Sequence, residues 1–370
     1  MHTDLTYNKS LKIVLIHPLN DLSGSPMVLS LLIKGLVAHG HEVVLFTSES
    51  QHGSMLDDIS GVDYHYFKYK WTPNRVVVLL KYIKIQFLLF FKLLVYRNDN
   101  AILYINTIMP FGALILGKLI GKRVIVHLHE TSIKPKILMK FLIFITSRFA
   151  DTTIYVSNYL MSMHPTSPSK MHMVSNCLSD QFTKKAFAST PRLNSTYKIL
   201  MICSLKIYKG VNEFIKLSEH LSEYDFHLVL NASEGQIADW SNSFAAPKNL
   251  HIHGPQVDLH PFYSMSNLLL NLSHPDAWVE TFGLTALEGM AYGLPVIVPD
   301  CGGIAELVDH GINGFKINIS ELDLIKKKIQ YLLSDEKVYA NFSCQAREKS
   351  KLYCQENQYK AIEHILHNWD

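Results

Sequence analysis

Cysteine is scarce in this sequence, and the few present form no pattern: Cys177, Cys203, Cys301, Cys344 and Cys354, an odd number without a Cys-x-x-Cys pair. That excludes a disulfide framework and a zinc-finger set, and it fits a reducing compartment. Charged residues are few, at 18% against 48% hydrophobic, which excludes a disordered chain and implies a packed interior. No Asp-x-Asp pair, low-complexity tract or short-period repeat occurs, so solenoids and arrays are excluded. The first ten residues are polar and lack the pattern of a secretory leader, so a cytoplasmic location is expected. No basic–aromatic module of the nucleic-acid-binding kind is present, and nucleic acid is not an expected partner.

What is present is length and regular patterning. A chain of 370 residues fits two domains. Apolar runs at 11–17, 42–47, 101–106, 123–128 and 152–156 read as buried parallel strands. The series resumes at 198–203, 226–230, 251–252, 268–272 and 295–298. Helical stretches lie between them, as in two successive Rossmann-type halves. Residues 180–197 lack periodicity and read as the connection between the halves. Charge is divided unequally, with 18 Lys and Arg against 11 Asp and Glu over residues 1–180, and 17 against 21 in the remainder. A basic first half suggests an anionic surface or acceptor near it.

The most informative stretch is 271–315. Thr281 reads as the N-cap of a helix over 282–292, which Gly293 and Pro295 end. The free N–H groups of Phe282, Gly283 and Leu284 would favour phosphate or sugar oxygens, and Gly283 would admit a ligand close to the backbone. Glu280 and Glu288, with seven residues between them, could accept hydrogen bonds from hydroxyl groups on either side. Taken alone, the two carboxylates fit solvated surface charges equally well.

The whole run alters that balance. Glu280, Phe282, Gly283, Glu288, Met290, Ala291, Gly293, Pro295, Val296, Ile297, Gly302, Gly303, Glu306, Gly311, Asn313 and Gly314 reproduce one motif. It resembles the donor-binding signature of family-four retaining glycosyltransferases of the GT-B type. That resemblance implies an α/β fold of two Rossmann-like domains facing each other across a cleft. The expected division is 1–185 on the acceptor side, 186–354 on the nucleotide-sugar side, and a helix over 355–370 crossing back to the first domain. It implies transfer of a sugar from a UDP- or GDP-sugar to a glycan or lipid-linked glycan with retained configuration, as in surface polysaccharide synthesis. No metal or other cofactor is implied. A GT-B nucleotide-sugar epimerase and a non-catalytic sugar-nucleotide-binding subunit are the alternatives.

Other positions take their expected roles from the same resemblance. Lys209 and Gly210 match a phosphate clamp, but Cys203 and Ser204 stand where the family has Gly-Arg. Lys206 is the candidate substitute for that lost charge. Gly24 matches the first of a glycine pair at the start of a helix and Ser25 replaces the second; an ordinary turn is the other reading. His253 and Gly254 resemble a turn beside the nucleobase. Glu288 is expected on the ribose, and Glu280 on the donor sugar. The strand over 123–128 brings His127 and His129 to one face at its carboxyl end. By resemblance His129 is expected to orient the donor sugar or its phosphate, with His127 second.

Two basic, apolar segments complete the inventory. Residues 74–97 have the length of a membrane span but carry Lys81, Lys84 and Lys92 within an arc of about 80°. Residues 134–149 repeat the character with Lys134, Lys136, Lys140 and Arg148. Both read either as ordinary core helices with solvated lysines or as peripheral contacts with the inner face of a membrane.

Overall fold

Runs of aliphatic residues without polar alternation are accommodated in strands covered on both faces, and the chain supplies such runs twice. The computed structural model describes residues 9–50, 53–68, 75–167, 170–190 and 196–368. They form two compact units, Met1–Asn176 with Glu356–Asp370, and Cys177–Gln355. Of the segments expected from sequence, residues 1–8, 74, 191–195 and 369–370 lie outside the described residues.

The first unit runs β1 (Lys12–His17), α1 (Gly24–Ala38), β2 (Glu42–Ser48), β3 (Val62–Phe67), α2 (Arg75–Lys92) and β4 (Ala101–Asn106). It continues with α3 (Phe111–Leu119), β5 (Arg123–Leu128), α4 (Lys136–Phe149), β6 (Thr152–Tyr155), α5 (Asn158–Met163) and β7 (Met171–Met173). Among the described residues these strands make one parallel sheet in the order β3-β2-β1-β4-β5-β6-β7. Strand order reverses between β1 and β4. Right-handed crossovers therefore place α1 on one face and α2, α3 and α4 on the other. On the α1 face, Leu29, Ile33 and Leu36 pack with Ile13 and with Ile362, Ile365 and Leu366 of the C-terminal helix (Gln355–His367). Arg123 secures that helix end, donating to the carbonyls of Leu366 at 2.6 Å and Asn368 at 2.9 Å, which a helix terminus otherwise leaves unpaired.

The second unit runs α6 (Asp180–Ala188), β8 (Lys198–Ser204), α7 (Val211–His220), β9 (Asp225–Asn231), α8 (Glu234–Ser241), β10 (Leu250–His253) and α9 (His260–Met265). It closes with β11 (Leu268–Leu270), α10 (Leu284–Ala291), β12 (Val296–Val298), α11 (Gly303–Glu306), β13 (Gly314–Lys316), α12 (Leu322–Ser334) and α13 (Glu336–Ser350). The described strands again form a parallel sheet, β10-β9-β8-β11-β12-β13, reversing between β8 and β11. Phe214, Phe226, Leu228, Leu268, Ile329 and Phe342 lie in its core.

Three features differ from the sequence reading. The units divide at Cys177 rather than at 186. Part of the expected connection is the helix α6, capped by Ser179, which accepts from the Phe182 N–H at 3.1 Å. It is short and buries little more than Ala186 and the Phe182 ring, which stacks on His260 at 4.6 Å. Finally, β3 and β13 pair with the sheets where no strand was read. β3 is an edge strand with polar alternation, and β13 is three residues long beginning at a glycine, so neither shows the apolar run of a central strand.

Candidate functional site

In open parallel sheets, ligands bind outside the carboxyl ends of the strands where strand order reverses. In the second unit that place lies between β8 and β11. After β8 the chain makes a single 3-10 turn and reaches Gly210 in the left-handed region, φ +80°. A Cβ there would lie 2.1 Å from the Leu272 carbonyl oxygen, so only glycine lets this loop press onto the segment that follows β11. The approach brings Lys209 to Glu280. Their side chains form an ion pair, only 15% and 19% exposed. Ser273 Oγ also donates to Glu280 Oε1 at 3.0 Å. The Lys209 ammonium lies 5.2 Å from the centre of the Trp278 ring, which stacks on Tyr208. From the other side, the Gly302–Gly303 turn grips the Glu280 backbone. Gly303 N–H donates to the Glu280 carbonyl at 2.8 Å, and a Cβ on Gly302 would sit 2.8 Å from the same oxygen.

The helix that follows starts later than the sequence suggested. Thr281 is not its N-cap; α10 begins at Leu284, and Gly283 caps it at φ +97°. Phe282 turns its ring inward against Tyr353, and a Cβ on Gly283 would meet Ile304 Cγ1 at 2.4 Å. The glycine is therefore required by packing as well as by backbone conformation. The N–H groups of Phe282, Gly283 and Leu284 have no acceptor among the described residues. They retain the character of an anion-binding helix start.

Glu288 lies on α10 among aromatic rings. Tyr263, fully buried, donates its hydroxyl to Glu288 Oε2 at 2.5 Å, and Tyr292 stacks on Tyr263. Desolvation pushes the Glu288 carboxyl up to about 7, the Tyr263 hydrogen bond partly opposing it. The side chain keeps some solvent contact, so it is accessible to a ligand. Lys206 is exposed beside the loop and makes no ion pair among the described residues. At Gly254 a Cβ would meet only Ile237 Cδ1, at 3.9 Å.

In the first unit the reversal point lies between β1 and β4, whose last residues are His17 and Asn106. His17 Nδ1–H donates to the Asn106 carbonyl at 2.7 Å. Asn106 Oδ1 accepts from His129 Nε2 at 2.9 Å, and the Tyr104 hydroxyl and His127 Nδ1 share a hydrogen bond of 2.8 Å. The rings of His127 and His129 are 4.3 Å apart. Burial lowers all three imidazoles, His17 to about 4, His127 to about 3 and His129 well below the usual range, so they are neutral at pH 7. With Asn106 accepting from Nε2–H, His129 presents Nδ1 as a lone pair. The adjacent Glu130 carboxyl is raised by burial although it accepts from Thr107 and backbone N–H groups. Thr107 itself has φ +110°, a strained conformation for a β-branched residue and one found at functional sites. Gly24 is the exposed first residue of α1 in this unit.

This arrangement predicts a change of protonation state in a single variant. Asn106→Asp should place a carboxylate on His129 Nε2 and raise that imidazole toward protonation. Its ¹⁵N shifts should then report protonation at a higher pH than in the unaltered protein. Unchanged shifts would remove Asn106 from its positioning role.

The structure thus groups Lys209 with Glu280, and His129 with His127, but surrounds Glu288 separately with tyrosines. Sequence reasoning missed Ser273, Trp278, Tyr263, Asn106 and His17. His17 could have been found, since it ends the first strand as His127 nearly ends the fifth. The metal-compatible group found among the described residues is His41, Glu363 and His367, remote from these positions in sequence. There the Leu11 N–H donates to His41 Nδ1 at 3.1 Å, so Nε2 carries the proton toward Glu363 and is no metal ligand.

Residues 182–349 match the family described as glycosyl transferases group 1, and residues 22–182 match Glycosyltransferase Family 4. An N-acetyl-alpha-D-glucosaminyl L-malate synthase of Bacillus anthracis is 30% identical over 164 residues, 42% of this chain and 41% of that protein. An N,N'-diacetylbacillosaminyl-diphospho-undecaprenol alpha-1,3-N-acetylgalactosaminyltransferase of Campylobacter jejuni is 23% identical over 46% of this chain and 44% of its own. The chain thus spans less than half the length of these curated relatives. In fold it resembles Anabaena Alr3699/HepE, solved with UDP and glucose, at a TM-score of 0.76 and 16% identity, covering 97% of this chain and 100% of that one. The two family matches together take in residues 22–349, nearly the whole of both units, and the chain belongs to the group 1, family 4 glycosyltransferases of GT-B fold.

Proposed function

We propose that this protein transfers a sugar, with retained anomeric configuration, from a UDP- or GDP-sugar to a glycan or lipid-linked glycan in surface polysaccharide synthesis, working at the inner face of the cell membrane. The observation that carries this reading is the pairing of Lys209 with Glu280 at the strand reversal, beside the unpaired N–H groups of residues 282–284. In the proposed step the bond from the sugar's anomeric carbon to the diphosphate oxygen breaks, and the acceptor oxygen bonds to that carbon on the same face. The acceptor's proton passes to the departing diphosphate. Lys209 and the α10 start stabilise the charge on the leaving group, and no metal is required for that balance. Glu280 accepts from hydroxyls of the sugar, Glu288 from those of the ribose. Within the first unit the neutral His129 offers Nδ1 as a hydrogen-bond acceptor to a hydroxyl. Lys206 borders the diphosphate, and Gly254 leaves room for the base. The undecaprenol-linked acceptor named for the Campylobacter relative supports a lipid-linked acceptor.

A thermal-shift panel of UDP, GDP, ADP and their sugar conjugates tests this directly. One nucleotide at 100 times its Kd should stabilise the second unit by about 2.7 kcal/mol, and Glu288→Ala should abolish the response. The pH dependence has a defined sign. Hydroxyls donate to ionised Glu288, whose carboxyl titrates near 7, so affinity should rise with pH and fall by up to about tenfold per unit below that value. Absence of any response would favour a protein that binds no donor, and a response indifferent to Glu288→Ala would remove Glu288 from the ribose contact. Product formed from the donor alone would favour an epimerase.

A further inference from the structure

The first unit carries an apolar face on the outside of α2 and α4. Leu80, Phe87 and Phe91 of α2 are 62%, 62% and 64% exposed, and Val95 just beyond it is 70% exposed. With Ile83 between them, these residues recur every three or four positions and form one stripe about 20 Å long. The stripe is not a misplaced core face. The opposite side of α2 buries Tyr82, Ile85, Gln86 and Leu89, and Gln86 Oε1 accepts from the Gly112 N–H of α3 at 2.9 Å. On α4, Ile137 and Phe144 are 75% and 65% exposed, with Phe141 between them and its ring against Phe111 of α3. The intervening α3 packs on both α2 and α4, so the two stripes belong to one side of the sheet.

Charge on these three helices has one sign. α2, α3 and α4 contain no Asp or Glu. Lys84, Lys92, Lys136, Lys140 and Arg148 are exposed and lie beside the aromatic rings rather than opposite them. A soluble helix turns its large apolar residues inward and its lysines outward. Here both point outward, an arrangement that suits rings entering the acyl boundary and ammonium groups at the headgroups. No helix among the described residues is long and apolar enough to cross a membrane.

We propose that the outer face of α2 and α4 is a docking surface for an anionic lipid bilayer, lying on it without spanning it. The inference deepens the proposed function by naming the lipid class and the residues that would hold the enzyme beside a lipid-linked acceptor. The apolar stripes supply depth of insertion, and the uniform positive charge selects anionic headgroups.

Flotation of the full chain with vesicles tests it. With vesicles of phosphatidylglycerol and phosphatidylcholine the protein should float; with phosphatidylcholine alone it should remain in solution. Raising salt should release part of the bound protein. Phe87→Ser with Phe91→Ser should weaken binding by at least about tenfold, as should Lys84→Glu with Lys140→Glu. The nucleotide thermal shift of the second unit serves as the folding control. Its retention in non-floating variants would assign the defect to the surface, whereas its absence in all forms would count against the transferase and leave lipid binding standing. Failure of the unaltered protein to float would overturn the docking surface. So would equal flotation of the Phe87 and Phe91 variant, or a dimer in solution that this variant dissociates.

Discussion

Lys209→Met is expected to lower sugar transfer by about 10²–10³-fold, with a smaller loss in binding of the nucleoside diphosphate. The ammonium faces Glu280 and the Trp278 ring, in the loop that follows β8. Negative charge on the departing diphosphate grows along the reaction, so the interaction strengthens in the transition state and kcat should suffer more than KM. Methionine preserves much of the volume against Trp278 and leaves Glu280 its bond from Ser273. Steady-state kinetics with the donor identified by the thermal-shift panel would check this. An effect confined to KM would reduce Lys209 to a ground-state contact. An unchanged rate would remove the diphosphate role altogether.

Gly210→Ala should be the most damaging single change to stability in the second unit, at about 3–5 kcal/mol. Two independent costs combine there: φ is +80°, and the new methyl would lie 2.1 Å from the backbone oxygen of Leu272, which has no rotamer with which to yield. Urea unfolding, followed by tryptophan fluorescence, would register the loss. Gly254→Ala is the matched control. Its methyl would meet only one atom, at 3.9 Å, so stability should change by less than about 0.5 kcal/mol. Equal effects at the two glycines would refute the packing argument.

Several parts of this description were legible in the sequence because they depend on local physics. Continuous aliphatic runs can be placed only in strands buried on both faces, which is why β1, β4, β5 and β8 lie close to where the pattern put them. The run from Glu280 to Gly314 carried the resemblance to the family, and within it Gly283 and Gly302 also answer a local backbone requirement, with φ of +97° and +87°. Helix α6 was lost because it is only nine residues long, five of them polar, and buries Ala186 alone completely. Strand β3 was lost because an edge strand need not be apolar on both faces.

What only the tertiary structure decided concerns contacts between residues distant in the chain. Lys209 and Glu280 are 71 positions apart, and no spacing rule joins them; adjacency of β8 and β11 does. The role of Gly283 was read as room for a ligand, while its Cβ space is already occupied by Ile304. Asn106 sets the proton on His129 from a neighbouring strand, and burial, which no sequence window measures, keeps that imidazole neutral. The lysines of 74–97 predicted an amphipathic helix. Which of its sides faced outward depended on the packing of α2 against α3, and that packing left the phenylalanines exposed beside the lysines. Local residue pattern determined the elements and the family; the pairing order of the strands determined which side chains met.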